Sequence, residues 1–328
     1  MPKRLLIQFQ RFNGNNGTSY MVYEDGVGIG LWMMLNEQRK GVASDRNNQR
    51  IISQRLYSPS GNADFFYYDH NGNLIDTIPG TPGAWTEMLA LSENALQALE
   101  WTGGGSGNGV LVSRNFADAS IIHTTIGDTG GYSGNNRGAA SFDNMTWWLI
   151  RYFGGPAILQ RIDDTGNTTT ATLSFGFSRV DCDSMAVLEN GDLVIAALLY
   201  EDEEPSDFRI MRITPTGTVV DEISLWAIDI GTIYYSASIV PEPGGKFPIW
   251  IGIIHPGGTT WELRRWEADG SLSDQLVSIT RDDLGNPSPS QLLYVDSWAW
   301  MEYPTGRRVR PLRQRQQDHD IRQRQRVI

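Results

Sequence analysis

FRIMRITPTGTVVDEISLW, residues 208–226, is the stretch on which the reading of this chain turns. Two runs of alternating apolar residues flank TPTG, a pattern that predicts a β-hairpin. A lone hairpin and one copy of a repeated unit imply different folds, so recurrence is the first question. The phrase does recur. NADFFYYDHNGNLIDTI spans 62–78, GPAILQRIDDTGNTTTATL spans 155–173 and TTWELRRWEADGSLSDQLVSI spans 259–279. Each has an apolar strand, a polar turn with Gly, and a second strand. A weaker copy, NGVLVSRNFADASIIHTT at 108–125, has Ala in place of the Gly. With Asp69, Asn115, Asp164, Pro215 and Ala268 as equivalent positions, the copies lie 46, 49, 51 and 53 residues apart.

The segments between these hairpins are alike too. DSMAVLENGDLVIAALLYE (183–201) is a hairpin turning at ENGD, and YSASIVPEPGGKFPIWIGIIHP (235–256) and RGAASFDNMTWWLIRYF (137–153) hold the same place in neighbouring units. A unit therefore has four strands in meander order. A repeat of that length and content predicts an all-β chain built as a β-propeller. Complete units are expected near 27–80, 85–126, 137–175, 182–226 and 233–280. SQLLYVDSWAWMEY (290–303) resembles the first two strands of a unit, and RLLIQFQRFNGNNGTSYMVYED (4–25) resembles the last two. Joined, they make a sixth blade from both ends of the chain, which pairs edges an open array would leave bare. The expectation is six blades over residues 1–305, followed by an Arg/Gln-rich arm at 306–328; seven blades is the alternative if TGRRVRPL (305–312) forms a strand.

AVLENGDLVIAALLYEDEEPSDFRIMRITPTGTVVDE (186–222) resembles the bacterial and phage β-propeller repeats of the delta-sixty type. Those have a D-G turn, an apolar strand, a variable gap, and then F-x-x-x-R-x-x-x-x-G-x-x-D. The resemblance is carried by 186–222 and 233–280, and the first half of the chain does not share it. It implies a propeller fold and brings no catalytic residues with it.

Charge divides the chain. Residues 306–328 carry Arg307, Arg308, Arg310, Arg313, Arg315, Arg322, Arg324 and Arg326 against Asp318 and Asp320, a net of +6; since the whole chain is −11, the rest carries −17. An acidic body disfavours nucleic-acid binding by the globular part. Eight Arg without a Lys suit bidentate contacts to carboxylates better than a generic cation would, so the arm is read as an assembly arm that docks on other protein subunits. One cysteine, Cys182, excludes an internal disulfide framework and is expected to be a buried, inert thiol. The N-terminal residues lack a sustained apolar core and a small-residue cleavage site, and no run reaches 18 apolar residues, so neither a signal peptide nor a membrane span is expected. Cytoplasmic synthesis follows, with a virion as a possible destination.

Candidate sites lie in the turns between the second and third strands and in the links between units, where propellers commonly bind. Glu201, Asp202, Glu203, Glu204, Asp282 and Asp283, with Asp181 and Asp183 near them, are candidate acidic contacts, and Tyr132 and Trp261 are candidate glycan contacts. Asp69, Asn71 and Asn73 have the 1-3-5 spacing of a calcium loop, but position 12 is Gly80 rather than Glu, so no metal is expected. SFDNMTWW (141–148) shares Ser141, Asp143 and Trp148 with the sialidase box, without its Gly and Thr. His70, His123, His255 and His319 fall in different units or the arm, which disfavours a His metal centre or a Ser-His-Asp triad. TGGGSGNG (102–109) joins strands rather than opening a helix, so it is not read as a phosphate loop. No cofactor is expected. The sequence thus favours a non-enzymatic interaction module in a larger assembly, such as a phage virion or tail, with a carbohydrate-binding or glycan-processing propeller as the alternative.

Overall fold

The structure is a computed structural model. It describes residues 3–11, 17–37, 39–45, 48–55, 64–80, 84–91, 96–102, 109–115, 117–126, 137–140, 146–151, 157–163, 167–173, 175–202, 204–226, 236–255, 258–284 and 294–301.

The alternating runs become strands, paired antiparallel in sheets of four. The chain begins with β1 (Arg4–Arg11), β2 (Gly17–Glu24) and β3 (Gly28–Leu35). Four strands follow in one sheet: β4 (Arg39–Asp45), β5 (Arg50–Arg55), β6 (Phe65–Asp69) and β7 (Leu74–Ile78). The next is β8 (Ala84–Leu91), β9 (Leu96–Thr102), β10 (Gly109–Arg114) and β11 (Ile121–Ile126), and then β12 (Arg137–Ala140), β13 (Thr146–Arg151), β14 (Ala157–Asp163) and β15 (Thr168–Leu173). The opening stretch lies in β16 (Arg179–Val187), β17 (Leu193–Glu201), β18 (Glu204–Ile213) and β19 (Val219–Ser224). The last complete sheet is β20 (Ser236–Glu242), β21 (Lys246–Ile254), β22 (Thr260–Trp266) and β23 (Val277–Thr280). Finally β24 (Tyr294–Met301) pairs with β1, giving a sixth sheet in the order β24-β1-β2-β3.

The mixed sheet differs from the sequence expectation in how the two chain ends share it. The N-terminal end supplies three strands and the C-terminal end one, rather than two and two. β3, assigned from sequence to the unit at 27–80, hairpins onto β2 through a turn in which Glu24 pairs with Gly28. The local turn overrides the count by period. TGRRVRPL lies outside the described residues.

Each sheet's first strand contacts its neighbour's: β24 meets β4, β4 meets β8, and the series runs through β12, β16 and β20 back to β24. Hydrophobic clusters fill the seams between sheets. Leu193, Ile195, Ala197 and Leu199 of β17 pack toward β12–β15, whereas Val194 and Ala196 pack toward β20–β23. β1 divides likewise, with Leu5, Ile7 and Phe9 facing β20–β23 and Leu6 facing β4–β7. A strand apolar on both faces reads as a continuous run, as LVIAALL does. Outermost strands see solvent, and Leu74, Ile75 and Val220 on β7 and β19 are exposed.

Between β20–β23 and the mixed sheet the seam is aromatic. Trp261 stacks edge-on to Phe9 at 5.3 Å between ring centres and lies 5.9 Å from Trp298; Trp250 meets Trp300 at 5.7 Å and Tyr23 at 5.5 Å. Gly252 of β21 makes this possible. A Cβ there would lie 2.6 Å from Trp261 Nε1 and 2.7 Å from Trp298 Cη2. The indoles therefore sit directly on backbone, with rigid rings that cannot retreat. Gly252→Ala is expected to destabilise the protein by at least about 2 kcal/mol through overpacking, seen as a lower urea midpoint. An unchanged midpoint would contradict this account of the seam.

Candidate functional site

The turn in the opening stretch is one of a set with shared chemistry. In 214–218 the amide of Thr214 donates to Thr218 O at 2.8 Å and that of Gly217 donates to Thr214 O at 2.9 Å. The same pair of bonds recurs from Asp69 and Gly72, from Leu188 and Gly191, and from Glu267 and Gly270. The four glycines have φ between 83° and 86° across 84°, 86°, 84° and 83°, the left-handed region where a side chain is strained. In the copy lacking Gly, Ala119 takes φ 54°, and its carbonyl accepts from Arg114 Nη1 at 2.8 Å. These turns are scaffold.

The calcium-like triplet is part of that scaffold. Asp69 Oδ1 accepts the amides of Asn71 (2.8 Å) and Asn73 (2.9 Å), and Oδ2 accepts their side-chain amides at 3.2 and 2.8 Å. The carboxylate is thus committed to its own turn. Desolvation pushes the Asp69 carboxyl up, but the bonds from Asn73 and Asn71 together outweigh it and hold the group below the ordinary carboxylate value of 3.8. Asp118 and Asp269 act alike on Ser120 and Ser271.

Among the predicted acidic contacts, Glu201, Asp202 and Glu204 are exposed together. The segment 201–207 is shorter as a loop than its sequence suggests. Glu201 pairs with Glu204 across β17 and β18, and Asp202 follows the first strand at φ 49°. Asp207 has already entered the strand, where it accepts from Arg209 Nε at 2.6 Å and Ser224 Oγ at 2.7 Å. Asp282 and Asp283 lie in a 3-10 turn after β23; Asp283 accepts from the amide and hydroxyl of Thr280 at 2.9 and 2.8 Å. Both groups occupy the same end of adjacent sheets, as strand order requires. Asp181 and Asp183 do not join them: Asp181 pairs with Arg179, and Asp183 accepts the Ala237 amide at 3.2 Å, fastening β16 to β20. Cys182 is buried where the register of β16 against β17 shifts, its thiol 3.3 Å from Ser184 O.

Trp261 requires a correction. It has 0% exposure and belongs to the aromatic seam, because positions 261 and 263 of β22 face the mixed sheet. A binding platform cannot use it. Glu203, Tyr132 and the eight Arg of the arm, Arg307 through Arg326, lie outside the described residues. Trp147, Trp148 and the SFDN segment likewise offer no described side chains.

Sequence reasoning missed one buried charge cluster at this end. Glu262, 2% exposed at its side chain, takes His255 Nε2 at 3.1 Å and Arg264 Nε at 2.6 Å on its two oxygens. The signal was the alternation of Glu262 and Arg264 in WELRR, with His255 brought alongside by the β21–β22 turn. It reads as an ion-paired brace.

No protein-family model and no curated protein matches the chain. Solved structures do match in shape. A protein of unknown function from Bacteroides caccae aligns over 92% of this chain and 100% of its own, at 13% identity and a TM-score of 0.59. TolB from Acinetobacter baumannii aligns over 91% of this chain and 66% of its own, at 11% identity and a TM-score of 0.56. Likeness at such identity is one of fold, and it supports a β-propeller fold for this chain.

Because the folded-state value of Asp69 lies below the unfolded one, its contribution is present above pH 3.8 and is lost as pH falls through the depressed value. Asp69→Ala is expected to cost about 1 kcal/mol at pH 7 and to flatten the acid limb of the stability curve. Urea titrations between pH 7 and pH 2 measure both; a full-sized acid limb in the variant would refute the assignment.

Proposed function

We propose that this protein is a six-bladed β-propeller, its last blade made from both ends of the chain, that serves as a non-catalytic interaction module within a protein assembly. The cyclic contact of the first strands and the pairing of β24 with β1 support the ring. The observation that carries the function is where the reactive side chains go. Among the described residues, turn carboxylates cap their own backbones, and Trp250, Trp261 and Trp298 fill a seam between sheets. The exposed acidic tip at Glu201, Asp202 and Glu204 is what projects.

The Arg-rich segment at 306–328 complements that acidity. Its +6 against −17 on the remainder suits contact between copies, or with another acidic subunit, through guanidinium–carboxylate pairs. A phage virion or tail is the kind of assembly this profile points to. Replacing Arg307, Arg308, Arg310, Arg313, Arg315, Arg322, Arg324 and Arg326 with Gln tests it by sedimentation velocity. The parent chain is expected to self-associate in 50 mM salt and to dissociate near 0.5 M, where screening shortens to about 4 Å. The variant is expected to stay monomeric throughout. Equal association by both proteins would remove the arm from the mechanism, and saturable signals on a glycan array would favour a sugar-binding propeller instead.

A further inference from the structure

The seam between the mixed sheet and the β4–β7 sheet holds a cation that the described residues satisfy only in part. Arg39 opens β4 and is 1% exposed. Its guanidinium lies 3.3 Å from the centre of the Phe66 ring. One nitrogen, Nη2, donates to the Tyr68 hydroxyl at 3.2 Å and pairs with the Glu37 carboxylate. Nε and Nη1 are both buried and donate to no acceptor among the described residues. The residue cannot withdraw, since its amide donates to Thr18 Oγ1 at 2.9 Å and its carbonyl accepts from Gln8 Nε2 at 2.8 Å. A buried guanidinium with donors unmet is strongly unfavourable unless an anion or water completes it.

The neighbouring positions sharpen the choice. Arg55 is the direct cross-strand partner of Arg39, and Lys40 follows it. Here three cations begin one strand pair in a chain whose net charge is −11. Glu37, its side chain 40% exposed, is the carboxylate paired with Arg39 among the described residues, and it reaches in from the solvent side.

We propose that this end of the β4–β5 pair binds an oxyanion, a phosphate or carboxylate group, which takes the place of the Glu37 carboxylate against Arg39. The planar guanidinium fork suits such a group, and Glu37 acts as an internal occupant that competes with it. The site stands whether or not the Arg-rich segment binds protein.

Isothermal titration of the full chain with sodium phosphate, and separately with sodium acetate, at constant ionic strength tests the proposal. Saturable binding of at least one anion is expected. Glu37→Gln is expected to tighten it roughly tenfold, and Arg39→Lys, which keeps the charge but loses the planar fork, to weaken it by a similar factor. A purely structural Arg39–Glu37 pair would make Glu37→Gln less stable without improving anion affinity. Preference for phosphate assigns a phosphoryl ligand, and preference for acetate assigns a carboxylate. Absence of saturable binding for both anions, or equal affinity in all three proteins, overturns the site. If circular dichroism shows Glu37→Gln unfolded, the comparison of Arg39→Lys with the parent decides alone.

Discussion

Two-sided burial of the middle strands is the constraint on which the rest depends. A sheet of four strands buried on one face only would leave half of LVIAALL in water. In this protein β17 sends alternate residues to different neighbours, so its sheet needs another on each side. An array built this way has ends, and an end exposes an apolar face. The pairing of β24 with β1 puts strands from both ends of the chain into one sheet, with Leu5, Ile7 and Phe9 turned toward β20–β23 and Leu6 toward β4–β7. The entropy of joining strands so distant in sequence grows only logarithmically with separation, whereas the buried area is gained in full.

The aromatic seam shows how specific that junction is. Trp250, Trp261, Trp298 and Trp300 meet where the last sheet touches the mixed one, and Trp300 Nε1 donates to Pro241 O at 2.8 Å. Nearby, Lys3 pairs with Glu242, and Arg4 with Glu24 at 2.8 Å. Residues from both chain ends are thus fixed against the same sheet. Apolar area drives the contact, while Gly252 and the indole hydrogen bond set its register.

Much of this was legible before folding. Period-2 alternation and the Gly turns marked the hairpins, because side-chain direction and turn conformation are local properties. The β18–β19 stretch, the ENGD hairpin and the sheet boundaries from 84 to 280 lie close to their expected places. The split of the mixed sheet was not legible. β3 and β4 are both plausible neighbours of β2 by pattern, and only the Glu24–Gly28 turn chooses. The candidate site was read less well. WELRRW alternates, but alternation does not say which face meets another sheet, so Trp261 looked available and is core. Arg39 resembled any strand-end arginine, because its burial comes from Phe66 and Tyr68 in a strand some thirty residues away.

The sequence by itself determined the strand, the turn and the repeating unit, since each depends on neighbours within a few residues. It also determined the charge contrast between the body and residues 306–328. Tertiary structure decided which sheet each strand joined, which aromatics vanished into seams, and which carboxylates were consumed by their own turns. The physical reason is that burial is a property of what packs against a face, and here each face is covered by residues about fifty, or nearly three hundred, positions away. The stretch at 208–226 is therefore an outer hairpin of a sheet, and the tip just before it exposes Glu201, Asp202 and Glu204 to solvent.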